Sequence, residues 1–216
     1  MNKTNMNEKY SMYSAFSVFE KGLYYSQIYN FLIRLNIEYP GFSKWYKGLF
    51  LENKELQDSR EIIICEKEYR IAGVAILKST EEEKKICTLR VAGPFQRQGI
   101  GRKLMEMSFE WLEDDKPLIT MHKSKQHEFI ALLDYYGFVL EQTQRNYYNI
   151  FSTELSYNGI LPEKKIFFNK IEIMDIDIWY NNFIMSGSNN LKEFVEKCIF
   201  KWYAREWKRR IEMLNY

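Results

Sequence analysis

The 216-residue chain predicts an α/β (α+β) fold, in which hairpin-paired strands and amphipathic helices share a core. Three observations carry this reading. Residues 86–91 are a short apolar and β-branched run that breaks into glycines and comes out as a helix with Leu104, Met107, Ser108, Trp111 and Leu112 on one face. Residues 62–65 and 71–77 are two strand-like runs around the charged link Glu66-Lys67-Glu68-Tyr69. Downstream, a strand at 118–121, a helix over roughly 124–136 and two further runs at 138–143 and 146–151 continue the alternation.

In chain order, residues 12–19 alternate enough to predict a first strand. Tyr24, Ile28, Phe31, Leu32 and Leu35 then form one helical stripe, and Phe42, Trp45, Tyr46, Leu49 and Phe50 a second after the break at Tyr39-Pro40-Gly41. Gly73, inside the second hairpin strand, predicts a bulge or a close backbone approach. The charged run 80–85 is a solvated turn. The helix over 102–113 is expected to stop at Asp114-Asp115-Lys116-Pro117, because proline cannot continue the ladder. Ser124 is the expected N-cap of the next helix, and Gly137 its left-handed C-terminal residue, with Phe138 folding back onto the last turn. Beyond Ser156, a strand at 166–173 and a long helix at 191–214 are expected, the latter with the stripe Leu191, Phe194, Val195, Cys198, Ile199 and Trp202. That stripe calls for a covering surface, in the same chain or in a second copy as a homodimer.

A composition of 46% hydrophobic and 28% charged residues is that of a soluble globular chain able to bury a core. The net charge of +2 argues against nucleic acid as a partner. Cys65, Cys87 and Cys198 are scattered and odd in number, so neither a disulfide framework nor a metal site follows. With no long apolar run and no leader-like start, a cytoplasmic protein with no membrane partner is expected.

The turn between strand and helix is where chemistry concentrates. Gly99 and Gly101 stand at the mouth of a helix, where unpaired N–H groups and the positive dipole end favour a phosphate. Gly99 and Gly101 are followed by Ile100 and Arg102 rather than the Lys-Ser/Thr of a Walker A loop, and Leu104 occupies the third-glycine position of a dinucleotide fingerprint. What the spacing does match is Gln/Arg-x-x-Gly-x-Gly/Ala, as Gln96-Arg97-Gln98-Gly99-Ile100-Gly101, with Val91 ending a strand eight residues before the first glycine. This resembles the pyrophosphate loop of the GNAT acetyltransferase superfamily, and the later helix ending in Gly137-Phe138 resembles the second half of that domain.

The resemblance covers roughly residues 10–152 and implies a mixed, mostly antiparallel central sheet flanked by helices. It accounts for a domain of residues 1–152 and leaves a C-terminal strand–helix extension, 153–216, which the helix stripe predicts to pack on that domain or on a second subunit. It implies acetyl-CoA as co-substrate, bound by Gln96, Arg97, Gln98, Gly99, Ile100, Gly101 and Arg102, with the pantetheine arm paired to main-chain groups at Val91, Ala92 and Gly93. It also implies an amine acceptor, on a small molecule or a protein, bordered by the Tyr39–Tyr46 region. The chain departs from the family pattern at the acid–base positions. The strand that in many relatives carries a Glu offers Cys87, Thr88 and Arg90, and the position of a frequent Tyr acid is Leu133. His122, at the end of the strand beside the expected gap, and Tyr136, close to the departed Tyr position, are therefore the candidate catalytic residues. The same departures leave two other readings open: a non-catalytic CoA-binding module, or a toxin-like acetyltransferase acting on aminoacyl-tRNA through the basic residues of the last helix.

Overall fold

A computed structural model of the protein describes residues 8–39, 41–145, 147–148 and 152–162. In chain order it contains β1 (Lys9–Met12), α1 (Val18–Leu32), α2 (Phe42–Lys47), β2 (Arg60–Lys67), β3 (Arg70–Ser79), β4 (Lys84–Val91), α3 (Ile100–Leu112), β5 (Leu118–His122), α4 (Gln126–Tyr135), β6 (Leu140–Arg145) and β7 (Thr153–Tyr157). Among the described residues the strands form one sheet in the order β1-β2-β3-β4-β5-β7-β6. Every neighbouring pair is antiparallel except β4 with β5. The mixed, mostly antiparallel sheet flanked by helices is as expected.

The near-continuous apolar runs of β2 and β3 are those of strands buried on both faces. Ile63, Cys65, Ala72, Ala75 and Leu77 point to the core shared with Ile100, Leu104, Met105 and Leu112 of α3 and Leu133 of α4. Ile62, Ile64, Val74 and Ile76 point to the opposite core, with Ile28 and Leu32 of α1 and Phe42 and Tyr46 of α2. The hairpin link is shorter than expected: Glu68 and Tyr69 alone turn the chain, both with positive φ, as a two-residue turn matched to strand twist requires.

Several elements differ from expectation, each for a local reason. Residues 12–19 are not a strand. β1 ends at Met12, Tyr13–Ala15 form a 3-10 turn, and Ser17 opens α1 through a capping box, its backbone N–H donating to Glu20 Oε2 at 2.9 Å. The Ser-x-x-Glu signal outweighs the alternation around it. α3 stops at Leu112, ahead of the proline, because Glu113 turns left-handed (φ 50°) and Asp114 N–H closes onto Phe109 O at 3.2 Å. Ser124 does not cap α4. It lies in the 3-10 turn Lys123–Lys125, and His122 Nδ1 accepts its backbone N–H at 3.3 Å. Gly137 does end α4 in the left-handed region (φ 64°), with Phe138 N–H donating to Leu133 O at 2.9 Å.

Among the described residues the last strand of the sheet is β7; of the expected strand at 146–151, residues 147 and 148 form a bend and the others lie outside the described residues. β7 pairs with both β5 and β6, so the sheet continues past residue 152. The expected strand at 166–173 and helix at 191–214, with its stripe, lie outside the described residues.

Gly73 meets both halves of its expectation. The β2–β3 register shifts beside its partner Cys65, and a Cβ on Gly73 would lie 2.9 Å from Ile100 Cγ2 and from Leu104 Cδ1. The missing side chain lets the first turn of α3 sit directly on β3. Gly73→Val is therefore expected to destabilise the protein by roughly 1–3 kcal/mol through overpacking. Thermal unfolding checks this, and an unchanged midpoint would show that α3 can move outward freely.

Candidate functional site

The parallel pairing of β4 with β5 is confined to Lys85 with Leu118 and Ile86 with Ile119. Further along, β4 stays on β3 as far as Gly73 opposite Val91, whereas β5 is held by β7 as far as His122 opposite Glu154. The facing edges of residues 87–91 and 120–122 thus carry no ladder to each other, and the strands part there. Within β4, Ile86 pairs with Leu77 and Thr88 with Ile76, so Cys87 is the bulged residue.

The chain leaves β4 through a loop that its own side chains hold in shape. Ala92 N–H donates to Ala72 O at 2.8 Å, and Phe95, 4% exposed, anchors the 3-10 turn Gly93–Phe95 in the core. Gln96 Nε2 donates to Val91 O at 3.3 Å and Gln98 Nε2 to Pro94 O at 2.9 Å, while Gln98 Oε1 accepts from Lys67 Nζ at 2.9 Å. Arg97 (φ 58°) and Gly99 (φ 93°) are both left-handed, and Gly99 is the N-cap of α3. Gly99 has no side chain with which to cap, so the first N–H groups of α3 keep their donors free of one. The two glycines serve different ends. Gly99 is demanded by backbone conformation. A Cβ on Gly101 would make only ordinary contacts, 3.7 Å to Val91 Cγ2 and 3.9 Å to Leu132 Cδ2.

Around this helix mouth, Ile100 is fully buried and offers only its backbone, while the Arg102 guanidinium lies 4.5 Å from the centre of the Tyr135 ring. Val91, Ala92, Gly93, Gln96, Arg97, Gln98, Gly99, Ile100, Gly101 and Arg102 thus form one continuous rim, from the end of β4 to the first turn of α3. At the end of this rim the first turn of α3 leaves backbone N–H groups without a side-chain cap, an arrangement suited to an anion.

On the opposite face of the sheet the end of β5 meets Tyr39, from the link between α1 and α2. Met121 and Leu155 face the α3/α4 core, so His122 and its register partner Glu154 face the other way. The Tyr39 hydroxyl accepts the His122 backbone N–H at 2.8 Å, donates to Glu154 Oε1 at 3.4 Å, and its ring meets Tyr148 edge-on at 5.0 Å. Burial, and then the charge of Glu154, push the Tyr39 hydroxyl well above its ordinary range, so it stays protonated. His122 Nδ1 lies 2.7 Å from Ser124 Oγ, which makes Nε2 its outward nitrogen. Burial pushes the thiols of Cys65 and Cys87 up, so neither is a ready nucleophile.

The structure does not bring the two candidate catalytic residues together. Tyr136 belongs to the α3/α4 side, its hydroxyl donating to Glu106 Oε1 at 3.3 Å and its ring set edge-on to Phe109 at 5.1 Å. Burial, with Glu106 beside it, pushes its hydroxyl up to about 12. Leu133 is fully buried in the core. Glu154 is the residue that the sequence reading missed, because 153–157 was divided from the sheet at residue 152. The period-two pattern of Leu155 and Tyr157 could have revealed the strand, and with it a carboxylate on the opposite face. Among the described residues no group of His, Cys, Asp and Glu could hold a metal ion, and no helix is long and apolar enough to cross a membrane.

A family model described as the acetyltransferase (GNAT) domain matches residues 40–148. No curated protein matches the chain in sequence. Among solved structures, a GNAT-family protein from Desulfovibrio desulfuricans superposes with a TM-score of 0.51 at 12% identity, over 70% of this chain and 97% of that one. The ribosomal-protein-S18-alanine N-acetyltransferase from Escherichia coli gives 0.49 at 18% identity, over 74% and 100%. A GNAT family acetyltransferase from Elizabethkingia anophelis with acetyl-CoA bound gives 0.49 at 18%, over 70% and 96%. A nourseothricin acetyltransferase is spanned over only 64% of its length and 46% of this chain, at 14% identity and a TM-score of 0.43.

The differing roles of the two glycines generate a contrast in stability. Gly99→Ala, forced into the left-handed region, is expected to cost about 1–2 kcal/mol. Gly101→Ala, inside the helix with room for a methyl group, is expected to be neutral or to stabilise by up to about 1 kcal/mol. Denaturant unfolding of the two variants reads the difference, and equal effects would contradict the assigned backbone geometry.

Proposed function

Because the chain belongs to the GNAT acetyltransferase family, we propose that it is an acetyl-CoA-dependent N-acetyltransferase, working in the cytoplasm, that transfers the acetyl group to an amine of a small molecule or protein. The observation that carries this is the junction of the split β4–β5 pair with the open helix mouth at Gly99-Ile100-Gly101. The pyrophosphate is taken by the N–H groups that open α3, with Arg97 and Arg102 supplying positive charge. The pantetheine arm runs past the end of β4 and pairs with main-chain groups at Val91, Ala92 and Gly93. Gln96 and Gln98 act from behind, keeping the loop in the conformation that presents those groups.

Acetyl-CoA supplies an activated thioester, and the chain's part is to orient it, hold its carbonyl against backbone N–H groups of the split strand, and move one proton from the attacking amine to the CoA thiolate that departs as the C–N bond forms and the C–S bond breaks. His122 is the proposed proton carrier. It ends β5 at the gap, and Ser124 fixes its ring through Nδ1, leaving Nε2 for the exchange. Tyr136, engaged with Glu106 on the far side of α3, has no part in this step.

Gly101→Asp places bulk and a negative charge at the proposed pyrophosphate position and is expected to weaken CoA binding at least tenfold without unfolding the protein. Titration calorimetry measures this, and an unchanged affinity in a folded variant would overturn the proposed cofactor loop. With an acceptor in hand, His122→Ala is expected to lower kcat by roughly 10²–10⁴-fold, and Tyr136→Phe by less than about threefold. The reverse ranking would move the proton chemistry to α4.

A further inference from the structure

Resting on that reading, we infer that the acceptor amine carries a carboxylate, and that Arg90 is the residue that receives it. Arg90 stands in β4 directly before Val91, where the ladder to β5 has already ended. Its register partner Val74 belongs to the α1/α2 core, so the side chain lies on the face that carries Tyr39, His122 and Glu154, away from the α3 helix mouth.

The guanidinium is half-buried, 5.6 Å from the centre of the Phe31 ring, and it forms no ion pair and no side-chain hydrogen bond among the described residues. Burial depresses its pKa, against the opposing pull of Glu38 and Glu128 and with Arg34 adding a like charge. The two nearby carboxylates are engaged elsewhere: Lys125 Nζ lies 3.9 Å from Glu38 Oε1 and 2.9 Å from Glu128 Oε1. Arg34 likewise forms no ion pair among the described residues and is exposed. The result is a guanidinium steadied on an aromatic ring, partly stripped of water, with its planar fork of donors unclaimed. A carboxylate is the group whose two oxygens match that fork.

The structural alternative is that Arg90 only covers Phe31 with its apolar stem and is balanced at longer range by Glu38 and Glu128. Arg90→Met keeps the stem and removes the charge, which separates the two roles. The test uses the full chain with acetyl-CoA and sets of matched amines: free amino acids, their primary amides, their decarboxylated amines, and short peptides with an acidic or a neutral first residue. The expected result is that a carboxylate-bearing member has kcat/KM at least tenfold above its uncharged partners. Arg90→Met should remove the difference by raising KM for that member about 10–100-fold, Arg90→Lys should retain part of it, and the uncharged members and CoA affinity should not change.

Preference for free amino acids assigns the carboxylate to a small molecule, and preference for acidic peptides assigns it to a polypeptide. Either supports the subsite if Arg90→Met abolishes it. Equal use of charged and uncharged members, a loss in Arg90→Met common to all of them, or acetyl-CoA binding with no carboxylate-bearing amine acetylated, overturns the inference and leaves the family function standing. Absence of acetyl-CoA binding by the wild-type chain would instead overturn the function on which the inference rests.

Discussion

The site depends on a pairing that stops early. β4 and β5 must lie side by side for the sheet to be continuous, yet only Lys85 and Ile86 find partners on β5. Each strand is then held by its other neighbour: β4 by β3, and β5 by β7. Two neighbours pulling outward keep the pair from closing, at the cost of buried-edge backbone groups that need an acceptor or donor from elsewhere. Side chains supply part of that need, Tyr39 at the His122 N–H and Gln96 at Val91 O. The bulge at Cys87 belongs to the same solution, because a bulged strand bends and twists more strongly just where the two strands part.

That opening separates two chemistries by the faces of one sheet. On one face, α3 is seated tightly because Gly73 lacks a Cβ, so the position of its N-terminal donors follows from core packing. The loop before it carries a left-handed Arg97 and a left-handed Gly99, strain that the Gln96 and Gln98 bonds and buried Phe95 offset. On the other face, α1, α2 and their link bring Tyr39 onto the backbone of His122. Packing thus fixes the helix-mouth side, whereas a hydrogen-bonded polar group fixes the side of Tyr39 and His122.

The sequence was legible where period and turn chemistry agree. The β4–loop–α3 unit, the β2–β3 hairpin, the Gly137 terminus and the tight seat of Gly73 all follow from patterns of three or four residues that admit one conformation. It was misread where two local signals compete. Residues 12–19 alternate like a strand, but Ser17 and Glu20 satisfy each other only as a helix start. Ser124 looks like a cap, but His122 reaches the same N–H. Glu154 was illegible for a different reason. Its neighbours across the sheet, His122 and Gln144, are remote in sequence, and only the register makes them adjacent. Local patterns encode the cofactor side of the site, and long-range pairing assembles the acceptor side.

The charge pattern follows from that asymmetry. A strand that offers Cys87, Thr88 and Arg90 in place of a carboxylate cannot supply a base from β4, and the buried thiol of Cys87 does not replace one. A carboxylate on that face of the sheet comes instead from β7, as the buried Glu154, with the protonated hydroxyl of Tyr39 between it and the His122 backbone. Arg90 on β4 and Glu154 on β7 thus lie on the same face of the sheet, with β5 between their strands. On the proposed reading the anionic group of the acceptor is received by Arg90, whereas a simple cationic amine meets Arg90 and Arg34 as like charges. On the same reading, selection among acceptors falls to Arg90, on the strand where the usual base is missing, so the same substitution that removes a proton acceptor from β4 supplies the criterion for the substrate.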